Sequence, residues 1–177
     1  IAAMSQTDLK YIIGYSSVSH MGYVLIGVAT LNAIGMSGAV LQMFSHGIMT
    51  ALMFVLVGAI YYKTHTRNIY VLNGLIKVMP HASVLFILAG FASLGLPGLS
   101  GFIAEFLIFV GTVKVSWPIA ALGVLGAALT AVYILKLLSR TVFGTINDEF
   151  ADITDINVYE KIVSTSFAII LLFVGVW

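Results

Sequence analysis

Apolar runs long enough to cross a lipid bilayer recur along the whole sequence. One transmembrane helix needs about 20 mainly apolar residues, and five such segments can be placed, at about residues 9–31, 37–62, 82–113, 118–138 and 162–177. Only 8% of the residues are charged and 60% are hydrophobic, whereas a soluble domain has roughly 25% charged residues. The sequence therefore predicts an all-α membrane protein: one transmembrane unit over residues 1–177, a bundle of about five transmembrane helices.

Composition also argues against several other classes of function. The chain has no cysteine, so thiolate metal sites, iron–sulfur clusters and disulfides are not expected within it. The net charge of +1 and the lack of a basic run with interleaved aromatics give no sign of nucleic-acid binding. No cofactor is expected. Because the chain starts at Ile1 and stops at Trp177 inside an apolar run, we expect a fragment of a longer protein.

The third segment is too long for one straight transmembrane helix, and turn-forming residues lie in its middle. Pro97 lacks an N–H group and disfavours helix in the residue before it, while Gly95, Gly98 and Gly101 tolerate non-helical backbone. We expect a discontinuous helix, broken near residues 95–101, with Pro97, Gly98 and Gly101 at the break. Discontinuous helices mark ion and substrate sites in transporters. The alternative is two short helices joined by a turn outside the membrane.

Basic residues predict the orientation of the bundle. One side holds the N-terminal end, the connection 63–81 and the acidic loop before the fifth segment, and it carries seven of the eight Lys and Arg residues. Lys114 alone lies on the other side. Positive residues collect on the cytoplasmic side, so the first segment is predicted to run from inside to outside.

Glu105 is the only acidic side chain within a predicted span, and it follows Gly101 by four residues. An ionisable group in the membrane is costly and is expected to face a bundle interior or an aqueous path. The functional interpretation is a carboxyl group that relays protons. The alternative is a carboxyl group paired with a lysine purely for packing.

Two histidines lie within other predicted spans. His46 has Gln42 and Thr50 one turn to either side, a polar stripe able to hold a chain of water. His20 has Ser16 one turn before it, within a stretch rich in hydroxyl groups. Imidazole can accept a proton at one nitrogen and donate from the other, which favours a proton relay. Interhelical hydrogen bonding without relay is the alternative for both residues.

Six stretches of the sequence closely resemble one known family. They are SQTDLK (5–10), IGYSSVSHMG (13–22), GAVLQM (38–43), SHG (45–47), THTR (64–67) and LGLPGLSGF (94–102). Together they resemble the antiporter-like membrane subunits of respiratory complex I, over residues 5 to about 144. Glu105 stands where two of the three subunit types usually carry lysine, so the chain looks like the M type, called subunit 4 in mitochondria and D in cyanobacteria.

The resemblance implies a fold and a function. The five segments would be helices ten to fourteen of fourteen, with the twelfth discontinuous, and further ionisable residues of the family would lie upstream of Ile1. His20 and His46 would belong to a central hydrophilic axis, and Glu105 to the proton exit on the outer half. The partners would be other complex I membrane subunits, membrane lipids and protons. The membrane would be the bacterial plasma membrane, the thylakoid or the mitochondrial inner membrane.

Three functions fit this resemblance. The first is proton translocation by a subunit of NADH:quinone oxidoreductase, coupled to quinone reduction in other subunits. A subunit of a sodium/proton antiporter complex, or of a membrane-bound hydrogenase, is the second. A spacer subunit without conduction is the third, but His20, His46 and Glu105 argue against it, because a scaffold would more often have lost such costly groups. No redox centre or catalytic site is expected within this chain.

Overall fold

The computed structural model describes residues 2–177, and these form helices joined by connections of different lengths. A short helix α1 comes first, and six longer helices follow. Their bounds are Ala2–Ser5 (α1), Leu9–Ala29 (α2), Ala33–Thr64 (α3), Pro80–Ser93 (α4), Ser100–Val113 (α5), Trp117–Thr141 (α6) and Val158–Val176 (α7). Two short 3-10 turns lie in the connections, at Leu75–Lys77 and Asp148–Phe150.

Local sequence signals explain where several helices begin. Asp8 caps α2 by accepting from the backbone N–H of Lys10, and Asn32 caps α3 by accepting from Gly35. Pro80 stands in the first turn of α4, where its missing N–H group would be unpaired in any case. A reciprocal capping box between Asn157 and Glu160 opens α7.

Within residues 2–177, four helices are each long and apolar enough to cross a membrane alone, namely α2, α3, α6 and α7. The helices α4 and α5 have 14 residues each and follow one another across an interruption. The prediction of an all-helical bundle with one discontinuous helix is confirmed. The five predicted segments fall on α2, α3, α4 with α5, α6 and α7, while their limits as membrane spans stay predictions.

The interruption between α4 and α5 has the backbone that its glycines permit. Gly95 and Gly98 have φ angles of +66° and +93°, in the left-handed region that side chains disfavour. Gly101 packs directly against the carbonyl oxygen of Ala92, and a Cβ atom there would overlap that oxygen. Pro97 lies in the connecting segment and is exposed. The helix therefore stops at Ser93 and restarts at Ser100.

Helix α3 lies at the centre of the bundle and packs against α2, α4, α5 and α7. Its closest neighbour is α5, because Gly38 has no side chain at the crossing. A Cβ atom on Gly38 would lie 2.7 Å from the backbone nitrogen of Ile108. This close approach brings the buried face of α5 against the polar face of α3.

The polar connections meet at one end of the bundle. Asp8 forms an isolated β-bridge with Asn68 and an ion pair with Arg67, at 3.1 Å between Oδ2 and Nε. The Nζ atom of Lys136 donates to the carbonyl oxygen of Met4. The seven basic residues assigned to one side from the sequence are therefore carried by segments that meet at this end, which we call the basic end.

Candidate functional site

His20, His46 and Glu105 come together in the middle of the bundle. They lie on three different helices, α2, α3 and α5, beside the interruption between α4 and α5. All three side chains are buried, with exposed fractions of 1%, 8% and 7%. Because burying three ionisable groups in one place is unfavourable without a compensating role, this group stands out from the apolar bundle around it. With Gln42 and Ser93, the three residues form what we call the His20 cluster.

Each ring nitrogen of His20 has a polar neighbour. Its Nδ1 atom lies 3.4 Å from Oε1 of Glu105 and 3.2 Å from Nε2 of Gln42. Its Nε2 atom lies 3.1 Å from the hydroxyl oxygen of Ser93, the last residue of α4. His20 therefore joins the helix before the interruption to the helix after it.

This arrangement suits both the neutral and the charged imidazole. In the neutral form, Nδ1 accepts from the amide of Gln42 while the Nε2 hydrogen is donated to Ser93. In the charged form, Nδ1 carries a hydrogen and donates it to the carboxylate of Glu105. The amide of Gln42 can follow the change by rotation, because its Oε1 atom is buried without a hydrogen-bond partner among residues 2–177.

His46 lies beside His20 and continues the polar group along α3. The two ring centroids are 5.0 Å apart, and the planes are tilted by 36°. Within the described residues, the Nδ1 atom of His46 is buried and has no hydrogen-bond partner. Buried polar atoms in proteins nearly always have a partner, from protein or from ordered water, so we expect water to reach this nitrogen.

The other oxygen of the Glu105 carboxyl group lies in the space that a side chain at position 95 would occupy. A Cβ atom on Gly95 would lie only 2.8 Å from Oε2 of Glu105. The interruption thus brings bare backbone against the carboxyl group. Ser100, the first residue of α5, lies five residues before Glu105 and contacts Ser45 of α3, with 2.6 Å between their hydroxyl oxygens.

A second set of hydroxyl groups extends from α2 to α6. The phenol of Tyr133 donates to Ser16 at 2.8 Å and lies 3.3 Å from the hydroxyl of Thr130. Tyr23 lies edge-on to His20, with 5.9 Å between the ring centroids. Ser16 was predicted from the sequence as a supporting residue, whereas Tyr133 was not.

Thr50 does not join the His20 cluster. Its hydroxyl donates to the backbone carbonyl of His46 at 2.7 Å, the usual arrangement of threonine inside a helix. The expectation that Thr50 extends a polar stripe around His46 stays a prediction, because a hydroxyl that donates to its own helix can still accept from water. The cluster residues that were named from the sequence, His20, His46, Glu105 and Gln42, do lie together in the structure.

The class of protein follows from these observations. The chain is a polytopic membrane protein in which buried ionisable residues lie beside the interruption of a discontinuous helix. Its sequence matches the model of the NADH:quinone oxidoreductase/Mrp antiporter transmembrane family over residues 1–130. The chain belongs to this family.

Relatives and solved structures agree with the assignment. NADH-quinone oxidoreductase subunit M from Rickettsia prowazekii is 40% identical over 176 residues, covering 99% of this chain and 36% of the relative. The F(420)H(2) dehydrogenase subunit M from Methanosarcina mazei is 42% identical over 175 residues, covering 99% of this chain and 35% of the relative. Respiratory complex I from Thermus thermophilus with bound NADH contains a chain of 31% identity and TM-score 0.93, with 98% of this chain and 37% of that chain covered.

The chain thus spans about a third of the length of these relatives. The resemblance to the M-type subunit, stated from the sequence, is confirmed by the names of the relatives. The chain is accordingly an integral membrane protein.

Proposed function

We propose that this chain forms part of a proton path in the M-type subunit of a complex I type NADH:quinone oxidoreductase. One observation carries the proposal: Glu105 Oε1 and His20 Nδ1 lie 3.4 Å apart in a buried group. Two titratable groups at this separation can exchange a proton directly or through one water. Quinone reduction belongs to other subunits in this proposal, and no catalytic site is assigned to the chain itself.

His20 is the central carrier in this path. A proton arriving by way of His46 converts His20 to imidazolium, which then donates its Nδ1 hydrogen to the carboxylate of Glu105. Loss of that proton restores the hydrogen bond from Gln42 to Nδ1. Ser93 accepts from Nε2 in both states, so it fixes the ring while the proton moves at the other nitrogen.

The route out leads along α5, away from the basic end. The basic end is the cytoplasmic side under the positive-inside rule, so Glu105 passes its proton towards the outer half of the membrane. Moving one charge against 100 mV requires about 2.3 kcal/mol. Redox chemistry in the other subunits would supply that energy by changing the charge near the cluster. The relatives from Rickettsia and Rhodobacter favour a bacterial plasma membrane.

A sodium/proton antiporter subunit is the second candidate, because the family description names Mrp antiporters beside the oxidoreductases. The names of the relatives also leave the electron donor open, since one of them is a subunit of an F(420)H(2) dehydrogenase. The partners in the first proposal are other membrane subunits of the redox complex.

The test uses the complete subunit within its complex in inverted membrane vesicles. Proton uptake into the vesicles is followed by the quenching of an acridine dye, in a sodium-free buffer, after addition of NADH. We expect NADH-driven uptake with the parental protein and its loss with His20→Gln, which keeps hydrogen-bonding groups but cannot be protonated. The matched control is His65→Gln, because His65 is exposed at the basic end. Uptake that appears only after sodium is added to the buffer would favour the antiporter, and unchanged uptake with His20→Gln would refute the relay.

A further inference from the structure

A shallow groove outside the His20 cluster runs along α3 towards the basic end. Its volume is about 210 Å³. Its wall is formed by Phe54, Val57, Gly58 and Tyr61. Lys10 and Arg67 line the groove where it reaches the basic end. The groove is thus apolar along its length and positively charged at one end.

Gly58 forms the open floor of this groove. It is exposed, and a Cβ atom added to it would meet nothing within 4 Å. Phe54 and Tyr61 lie four residues before and three residues after it, on the same face of the helix, and they are 40% and 43% exposed. Phe54 and Tyr61 therefore lie about 10 Å apart along the helix axis, and the bare backbone between them leaves room for part of an extended hydrocarbon chain.

The charged end of the groove lies at the level where lipid headgroups are expected. Tyrosine is enriched at membrane–water interfaces, and Tyr11, Tyr61, Tyr62 and Tyr70 are all exposed at this end. Phe54 lies two turns deeper, on the apolar part of α3. The groove therefore runs from the headgroup level into the hydrocarbon.

The rim carries an excess of positive charge. The guanidinium of Arg67 is held by Asp8 on its Nε side and lies 5.0 Å from the centre of the Tyr61 ring. Lys10 is exposed and forms no ion pair within residues 2–177. Two cationic groups therefore face one carboxylate, and a lipid phosphate would complement the remaining charge.

We propose that this groove binds one anionic phospholipid from the cytoplasmic leaflet. One acyl chain lies over Gly58 between Phe54 and Tyr61, and the phosphate lies against Lys10 and Arg67. The apolar wall of the groove favours an acyl chain, and the basic residues Lys10 and Arg67 favour an anionic headgroup. The proposal does not depend on the proton path, because none of these residues belongs to the His20 cluster.

The test measures labelling of the intact complex by a photoreactive lipid. Vesicles contain phosphatidylglycerol with a diazirine in one acyl chain, or phosphatidylcholine with the same chain. After irradiation, mass spectrometry measures the label on the peptide that contains residues 54–61. We expect about fivefold more label from phosphatidylglycerol, the preference that one nearby basic residue confers.

Two variants separate the acyl chain from the headgroup. Gly58→Leu fills the groove without straining the helix, because leucine is a better helix former than glycine, and it should remove the label from both lipids. Lys10→Gln should lower labelling by phosphatidylglycerol about fivefold and leave phosphatidylcholine unchanged. The controls are Gly14→Leu, at an exposed glycine outside the groove, and Lys77→Gln, at another exposed lysine of the basic end.

Several results would overturn the proposal. Equal labelling by the two lipids, or an unchanged preference with Lys10→Gln, would show that no anionic headgroup is bound. Labelling that persists with Gly58→Leu would place the lipid elsewhere. Absence of label in the parental complex would show that protein and not lipid covers the groove.

Discussion

Replacing Gly95 by alanine should weaken the coupling between His20 and Glu105. The added Cβ atom would lie 2.8 Å from Oε2 of Glu105, and ordinary van der Waals contact begins at 3.4 Å. The carboxyl group must therefore retreat or the interruption must shift. Alanine also has to adopt a φ angle of +66°, which costs an L residue about 1–2 kcal/mol.

The size of the effect on coupling can be worked out from the geometry. We take the carboxyl group to move as a unit, directly away from His20, so that the separation grows from 3.4 Å to about 4.0 Å. At an effective dielectric constant of about 20, a full ion pair is then weakened by about 0.7 kcal/mol. Protonation of His20 beside the Glu105 carboxylate, the step that forms this ion pair, becomes about threefold less favourable. We expect a loss of similar size in the rate of proton pumping.

Gly98→Ala is the matched control. Gly98 also has a left-handed φ angle, +93°, but a Cβ atom there would meet nothing within 4 Å. Both variants are strained, and only Gly95→Ala presses on the carboxyl group. The assay compares NADH-driven proton uptake with thermal stability of the purified complex. Equal losses of pumping in the two variants would refute the argument, since backbone strain alone would then account for both.

Two further substitutions test the packing around the cluster. Tyr133→Phe removes the donor to Ser16 and should lower stability by about 1 kcal/mol. The loss is measured as a lower unfolding midpoint of the complex. The control Tyr15→Phe, at an exposed tyrosine, should leave the midpoint unchanged. Gly38→Ala puts a Cβ atom 2.7 Å from the nitrogen of Ile108, so α3 and α5 must separate at a cost of about 1–3 kcal/mol. Gly47→Ala, where a Cβ atom meets nothing within 4 Å, should be neutral or stabilising in the same assay, and a drop as large as that of Gly38→Ala would contradict the account.

The helices and the interruption could be predicted because their causes are local. Apolar runs of sufficient length specify membrane helices, and Pro97 with its neighbouring glycines specifies where one of them stops. The structure ends α4 at Ser93 and starts α5 at Ser100, around that local signal. His20, His46 and Glu105 were identified by a second local rule, the high cost of ionisable groups within apolar segments. Their roles in proton transfer stay predictions.

The remaining contacts of the site depend on pairs that are far apart in the sequence. Ser93 meets His20 across 73 residues, and Tyr133 meets Ser16 across 117 residues. Serine and tyrosine are common in membrane helices, so neither residue is conspicuous until the helices are packed. Thr50 lies at the spacing of the predicted stripe, and its hydroxyl donates to its own backbone. Periodicity predicts the face of a helix but not the partner of a hydroxyl group.

The most direct test of the proton path is the proton-to-electron ratio of complex that carries Glu105→Gln. The amide keeps the size of the side chain and most of its hydrogen bonds, so the fold should survive and the unfolding midpoint should stay close to the parental value. We expect NADH oxidation to slow and fewer protons to be moved per electron, because the amide cannot accept the Nδ1 proton of His20. A complex with this substitution that acidifies vesicles at the parental ratio would contradict the account and would make Glu105 a structural residue.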